Sequence, residues 1–376
     1  MPAVNKVLVV GGGLAGTATA ILLAQEGVVV DLVEIKPDVP AIGSGITLQG
    51  NALRELRRIG VWPRAKAAGY PFDCLGLRAP DARGTLLAQV PDVRSGGDDL
   101  PASMGMPRPV LARILLDRAR ETGVKTRFGD TPIRLDQDVA GVEVMFSAGA
   151  GDRYDLVVGA DGIRSAVRGL IGIEVTPEPT GMGIWRAFGP RPASVTCTDL
   201  FYGGPSYIAG YTPTGEDSLY AFVVEDVQDH SGLTPGERLA AMCRLAAGYH
   251  GPWDEIRSTL DDPDRVNYTR FETHVVPAPW HRGRVVLVGD AAHSCPPTLA
   301  QGGAQALEDA AVLAELLVTR DAIDDDLWAE FTARRFDRAR TVVEASNQLG
   351  RWLLDGVPGD VPGLVRRIGE LASHPA

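Results

Sequence analysis

Between Val285 and Ala310 the sequence reads VVLVGDAAHSCPPTLAQGGAQALEDA, a run whose residue types suit a ligand seat better than a simple connection. A β-branched apolar run, the signature of a buried strand, ends on Gly289 and Asp290. Pro296 and Pro297 fix φ and remove two backbone donors, so the loop after the strand is a rigid, partly apolar wall. Gly302 and Gly303 let a flat group approach the backbone. The helix expected from about Ala304 turns free N–H groups and a positive dipole end toward it. A flat, electron-rich ring that becomes anionic on reduction fits this seat, which points to a flavin. His293 is the nearest titratable side chain in sequence, readable as an acid–base group or as a structural histidine in a tight turn.

A second motif stands near the start. The apolar run Lys6–Val10 is followed by Gly11, Gly13 and Gly16, then a helical pattern over 17–26, then a strand over 28–35 that carries Glu34. This is the dinucleotide fingerprint in strand–turn–helix–strand context. Gly11 permits the tight turn, Gly13 lets a pyrophosphate approach, and Gly16 brings helix and strand together. Leu14 and Ala15 lie at the helix start, and the Glu34 carboxylate, followed by Ile35 and Lys36, can hold ribose hydroxyls. The motif implies an adenine dinucleotide without separating FAD from NAD.

The elements between these motifs position further candidates. Residues 42–46, including Gly45, read as a glycine-rich turn, and Leu75–Leu77 with Thr85–Gln89 as a hairpin. Arg108 opens a helix to about Thr122, where it serves either as a surface cation or as a phosphate or ribose contact. Asp161 follows an apolar run over 154–158 and is either a helix N-cap or a ligand group. From Gly181 to Asp226 the sequence alternates in short runs rich in aromatics, predicting an antiparallel sheet with one aromatic side. Trp185, Tyr202, Tyr211, Tyr220 and Phe222 are candidates for a pocket roof, and Arg186 for a carboxylate partner or a rim charge. Helices are expected near 235–247, 252–260, 304–319 and 325–354.

This order places the cofactor part in three pieces, 1–70, 100–178 and 270–350. A substrate part falls at 71–99 and 179–269, and a helical tail at 351–376. The expected class is α/β: a Rossmann-like FAD-binding domain of the glutathione-reductase type, with an inserted antiparallel sheet and C-terminal helices.

Composition narrows the classes further. With 37 basic and 48 acidic residues the formal charge is −11, which argues against a nucleic-acid surface. Four widely spaced cysteines support neither a disulfide framework nor a metal site. No apolar run reaches the ~18 residues that span a bilayer. A cleaved leader would delete the strand at Lys6, so a cytoplasmic protein is expected.

With the glycine fingerprint, Asp161-Gly162-x-x-Ser165 and Gly289-Asp290 in this order, residues 5–320 resemble the class A FAD-dependent aromatic monooxygenases. These form the para-hydroxybenzoate and salicylate hydroxylase superfamily. The resemblance implies FAD with its adenine end at Gly11–Gly16 and Glu34, and Arg108 near the ribose or pyrophosphate. It implies Asp290 on the ribitol or pyrophosphate side, the 297–304 loop beside the ring, and Asp161 linked to FAD and NAD(P)H. One departure stands out, since many members read Gly-Gln-Gly-x-Asn where this chain has Ala300-Gln301-Gly302-Gly303-Ala304.

The implied reaction uses NADH or NADPH and O₂ to hydroxylate a small aromatic or heteroaromatic ring through a flavin C4a-hydroperoxide. In that reading Tyr220, Tyr211, His293 and Pro297 are catalytic candidates, and Trp185, Arg186, Tyr202 and Phe222 substrate candidates. The rival readings are an epoxidase or tailoring oxygenase for a polyketide-like or drug-like substrate, a reductase that never transfers oxygen, and a flavin-binding module without turnover. A homodimer is a further expectation.

Overall fold

A computed structural model describes residues 2–38, 44–149 and 151–376. Its framework is a six-stranded sheet with order 281–282, 285–287, 156–159, 6–10, 29–34, 125–128. Five of these strands run parallel and only His281–Arg282 is antiparallel. Lys6–Val10 lies at its centre, paired with Val29–Glu34 on one side and Leu156–Gly159 on the other. Val7 to Val10 and Leu156 to Val158 are buried, as a parallel sheet covered on both faces requires. The apolar run over 154–158 is therefore split. Gly151–Tyr154 belongs to a separate three-stranded sheet, and the Asp155 carboxylate between them accepts the Asn5 and Lys6 amides at 2.6 and 3.0 Å.

The first helix spans Leu14–Gln25 and starts three residues earlier than the pattern predicts, with Gly13 as its N-cap. The glycine turn is thus itself the helix start. A Cβ on Gly16 would fall 1.9 Å from the Gly11 carbonyl oxygen, so only glycine lets helix and strand meet. A Cβ on Gly13 would find nothing within 4 Å.

Residues 45–49 are a strand rather than a turn, paired with Ser103–Pro107, which in turn pairs with Tyr70–Phe72. Ile42 and Gly43 lie outside the described residues. Ser103–Pro107 runs directly into the helix Arg108–Glu121.

The second large sheet has eight strands, ordered 293–294, 266–275, 178–190, 218–226, 208–213, 198–202, 74–78, 86–91. The hairpin 74–78/86–91 is antiparallel, and 74–78 joins 198–202 in parallel. One face of this sheet carries Trp185, Phe201, Ala209, Tyr211 and Val223, packed under the helices Pro235–Ala246 and Pro252–Ser258 with Trp253 and Tyr249. The other carries Ile184, Ile208, Val224 and Phe271, with Tyr202, Phe222, Leu353 and Leu354 against them. The expected single aromatic side is therefore two faces with different jobs, because a strand alternates its side chains.

The long helix Asp325–Leu354 runs unbroken through residue 350, and Val361–Ser373 packs on it through Leu364 and Ile368. Among the described residues no helix is long and apolar enough to cross a membrane.

The glycine geometry separates two substitutions. Gly16→Ala should destabilise by about 1–3 kcal/mol through overpacking, while Gly13→Ala should move stability by less than about 0.5 kcal/mol. Urea unfolding of both variants measures the contrast, and equal midpoints would remove the packing argument.

Candidate functional site

The segment from Gly289 to Gly303 is held from behind by buried charge. Asp309, fully buried on the helix Gly302–Thr319, accepts the Gly289 amide at 2.8 Å, His293 Nε2 at 2.7 Å and Arg335 Nε at 2.7 Å. Burial alone would raise its pKa, but the His293 and Arg335 charges and the Gly289 N–H outweigh it and hold it down to about 2. Its neighbour Glu308 takes Arg335 Nη1 at 3.0 Å, Arg338 Nε at 2.7 Å and Asn51 Nδ2 at 3.0 Å. Asn51 also donates to Gln301 Oε1 at 3.0 Å, and Gln301 donates to Gln49. The loop is thereby tied to the helix Asp325–Leu354 and to the strand Gly45–Gln49.

His293 is consequently a structural partner of Asp309 rather than an exposed acid–base group. It is 3% exposed and its ring lies 5.1 Å from that of Trp280. Ala300 takes φ 53, the only positive φ of a non-glycine among the described residues, so strain sits where the wall turns into the helix. Pro296 is buried, whereas Pro297 is exposed at the wall's outer side. A Cβ on Gly303 would meet Leu14 Cδ1 at 3.1 Å and Ile46 Cδ1 at 3.3 Å, while one on Gly302 would meet only Cys295 Sγ, at 3.8 Å. Gly303 is therefore closely packed, and Gly302 is the position that leaves room. Ala304 is buried.

Gly289 and Ala15 bring the two motifs together, since a Cβ on Gly289 would sit 2.9 Å from the Ala15 Cβ. Asp290 is solvent-exposed, yet protein atoms crowd it enough for desolvation to raise its carboxyl pKa, an effect Arg108 opposes most. Arg108 itself is exposed and has no side-chain hydrogen bond or ion pair among the described residues. Its charge also acts on Tyr220, whose pKa burial raises against the pull of Arg186 and Arg108. Tyr220 lies against Gly45, where a Cβ would fall 2.5 Å from its ring. Asp290, Arg108, Gly45 and Tyr220 thus share one crevice between the two large sheets.

Glu34 accepts the Gly12 amide at 2.8 Å and the Lys36 amide at 2.9 Å, which fixes its carboxylate over the glycine turn beside exposed Ile35. Asp161 accepts from the Ser165 hydroxyl and from the Val167 amide at 3.0 Å, and Ser165 caps the helix that follows. The N-cap reading of Asp161 is not the geometry; Asp161 braces the cap. That helix carries Arg168, which reaches the Ala291 carbonyl at 2.9 Å and His274 Nε2 at 3.3 Å, joining this motif to Gly289-Asp290.

On the sheet, Arg186 Nε donates to Tyr220 Oη at 2.9 Å, and its Nη1 donates to Thr269. The Tyr220 ring lies 5.5 Å from Phe222. Two candidates fall elsewhere. Trp185 is fully buried on the opposite face and donates to Glu225 at 2.7 Å, and Tyr211 on that face donates to Asp199 at 2.8 Å. Odd and even positions of one strand cannot both face the crevice, which removes both from the substrate side. Tyr202 and Phe222 stay on the crevice face. A groove of about 490 Å³ beside Ala278, His281 and Trp328 contains none of these residues.

Sequence reasoning missed Asp309, Glu308, Arg335, Asn51 and Gln301. Its available signal was a pair of adjacent acids inside an otherwise Ala/Leu-rich helix, where burial demands a cation.

The arrangement fits FAD. The helices Leu14–Gln25 and Gly302–Thr319 both start without a side-chain cap and without an acid in the first turn, leaving orphan N–H groups for anionic parts of a ligand. The space before Gly13 and Arg108, unpartnered among the described residues, fit a pyrophosphate. Among the described residues no cluster could hold a metal ion.

Comparison with known proteins agrees. A family model described as an FAD binding domain matches residues 5–346. The chain is 30% identical over 355 residues to the aurachin C monooxygenase/isomerase of Stigmatella aurantiaca, covering 92% of this chain and 90% of that protein. It is 30% identical over 353 residues to an FAD-dependent urate hydroxylase of Klebsiella pneumoniae, covering 90% and 88%. The crystal structure of Klebsiella pneumoniae HpxO with FAD and uric acid superposes with a TM-score of 0.80 at 25% identity, covering 98% of this chain and 93% of that one.

His274 sets a pH dependence. Burial first, and then Arg168, lower its pKa from 6.5 to about 4, so the unfolded chain binds the extra proton between those values. Its contribution, about 3 kcal/mol, is present above pH ~6.5 and is lost as pH falls through ~4. Urea midpoints measured from pH 7 to 4 should fall, and His274→Gln should flatten that slope.

Proposed function

This chain belongs to the FAD-binding domain family and is an FAD-dependent monooxygenase; from that premise we propose that it hydroxylates a small aromatic or heteroaromatic compound, with NADH or NADPH as reductant. The observation that carries the reading is the crevice pairing of Arg186 and Tyr220, on a sheet face opposite the uncapped helix start at Gly302. Bound FAD would supply the redox and oxygen-transfer chemistry.

The protein's own groups set the stage for it. The amides at Gly13–Ala15 and the Arg108 guanidinium would hold the pyrophosphate, and Glu34 the adenosine ribose. Asp290 would accept from the ribityl chain, with Gly45 leaving room beside Tyr220. The first-turn amides from Gly302 to Ala304 would stabilise negative charge on the ring system, a task that needs no asparagine side chain at 304. Pro296 and Pro297 would form the wall that keeps water out, giving Pro297 a shaping role. Asp161, linked through Ser165 and Arg168 to the Gly289 loop, would brace that edge of the site rather than bind the cofactor directly.

Substrate would lie between this wall and the sheet. Because Tyr220 Oη accepts from Arg186, its own proton is free for a substrate oxygen. Burial raises its pKa, which makes it a hydrogen-bond donor rather than a base. Arg186 would add charge for a phenolate or carboxylate, and Phe222 and Tyr202 apolar surface for a flat ring. In this division, residues 1–70, 100–178 and 270–350 serve the cofactor, 71–99 and 179–269 the substrate, and 351–376 cover the far end.

Two measurements test the reading. Purified protein should be yellow and should oxidise NADH or NADPH faster when one aromatic compound is present, with that compound gaining an oxygen atom. Acceleration without an oxygenated product would identify an uncoupling ligand instead. Arg186→Leu should raise KM at least tenfold (about 1.4 kcal/mol) with flavin content unchanged. Asp290→Ala should instead lose flavin, and full retention would remove Asp290 from the cofactor site.

A further inference from the structure

Two of the four cysteines stand side by side, far from the crevice in role and on the other face of the sheet. The parallel strands 74–78 and 198–202 pair with Leu75 opposite Thr198, which puts Cys74 beside Cys197 at the mouth of the ladder. Gln89, on the neighbouring edge strand, donates its side-chain amide to Cys74 Sγ at 3.0 Å and to Cys197 Sγ at 3.7 Å. The Cys197 thiol is pushed up to about 12, first by burial and then by its contact with the Cys74 thiol. These residues share their face with Asp199 and Tyr211, the side turned from Tyr220.

Directly opposed residues on neighbouring strands are about 4.8 Å apart, within the Cα range of roughly 4.4–6.8 Å that a disulfide spans. Access is graded. Cys197 is 4% exposed, Cys74 is half-buried, and Gln89 above them is exposed on the outermost strand of the sheet. Cys243 and Cys295 have no second thiol beside them among the described residues.

We propose that Cys74 and Cys197 are a peroxide-responsive thiol pair that closes reversibly to a disulfide across the two parallel strands. Cys74, the less buried of the two and hydrogen-bonded to the Gln89 amide, is the attacking sulfur: its thiolate takes one oxygen from hydrogen peroxide, giving a sulfenic acid, and the other oxygen leaves as water after taking up the proton that the thiol released. Cys197 then displaces that hydroxyl, which leaves as a second water carrying the Cys197 proton. Two thiols and one peroxide thus become one disulfide and two waters. Hydrogen peroxide is what reduced flavin and dioxygen yield when no substrate takes the oxygen, so the oxidant belongs to this enzyme's own chemistry. The bond would fasten the edge hairpin, 74–78 with 86–91, to the strand 198–202.

The test uses holoenzyme treated with stoichiometric hydrogen peroxide, then blocked, digested and analysed by mass spectrometry. The expected result is one linked peptide pair joining Cys74 to Cys197, lighter by two hydrogens and reversed by dithiothreitol. The urea midpoint should rise on oxidation in the wild type and stay unchanged in Cys74→Ser, a variant outside the crevice that keeps its flavin. Oxidation of Cys74 to sulfinic acid with Cys197 still free would overturn the proposal. So would oxidation of Cys243 or Cys295 ahead of the pair.

Discussion

The Asp309 carboxylate is the interaction on which the rest of the crevice depends. It is fully buried and accepts from a backbone amide of the Gly289 turn, from His293 and from Arg335, so the loop and the helix Asp325–Leu354 converge on its two oxygen atoms. Removing one partner would leave a buried charge uncompensated, at a cost of about 3–5 kcal/mol. Arg335 is shared with Glu308, and Glu308 reaches Asn51 and Arg338; Asn51 also binds Gln301, which donates to Gln49 and so extends the constraint to the strand that carries Gly45. The loop from Gly289 to Gly303 is therefore pinned at Gly289, His293 and Gln301, with strained Ala300 between the last two.

That fixed loop explains how two helix starts come to face one crevice. The Gly11–Gly16 turn would be an isolated anion site without Gly289 packed on Ala15, and Gly302 would be an ordinary helix start without the wall before it. The sheet supplies the third side. Its two faces divide the aromatic residues between an ordinary core around Trp253 and a polar, half-open surface around Arg186 and Tyr220. Cofactor and substrate functions are thus separated by layers, although the chain crosses between them several times.

Much of this was legible in the sequence because it rests on local chemistry. Glycine spacing after an apolar run predicts the turn and the crossover strand, and Gly289-Asp290 before two prolines predicts the loop. Period-two alternation places Tyr220, Phe222 and Val224 together, as the ladder shows. What was not legible depends on long-range pairing. Trp185 and Tyr211 look like site residues until strand register assigns them to the covered face. His293 looks like a catalytic base until Asp309, a helix away, claims it. Gly45 and Ile46 read as part of a turn over 42–46 because the partner of the strand they open, 103–107, lies far along the chain.

FAD affinity of the Asp309→Asn protein tests the dependence most directly, since asparagine keeps the shape and removes the charge. Titration of apoprotein followed by flavin fluorescence, with circular dichroism as the control on folding, gives the comparison with wild type. Binding weaker by about tenfold or more (~1.4 kcal/mol) with the fold intact is the expected result. A folded Asp309→Asn protein that binds FAD as tightly as wild type would contradict the claim that this carboxylate sets the crevice.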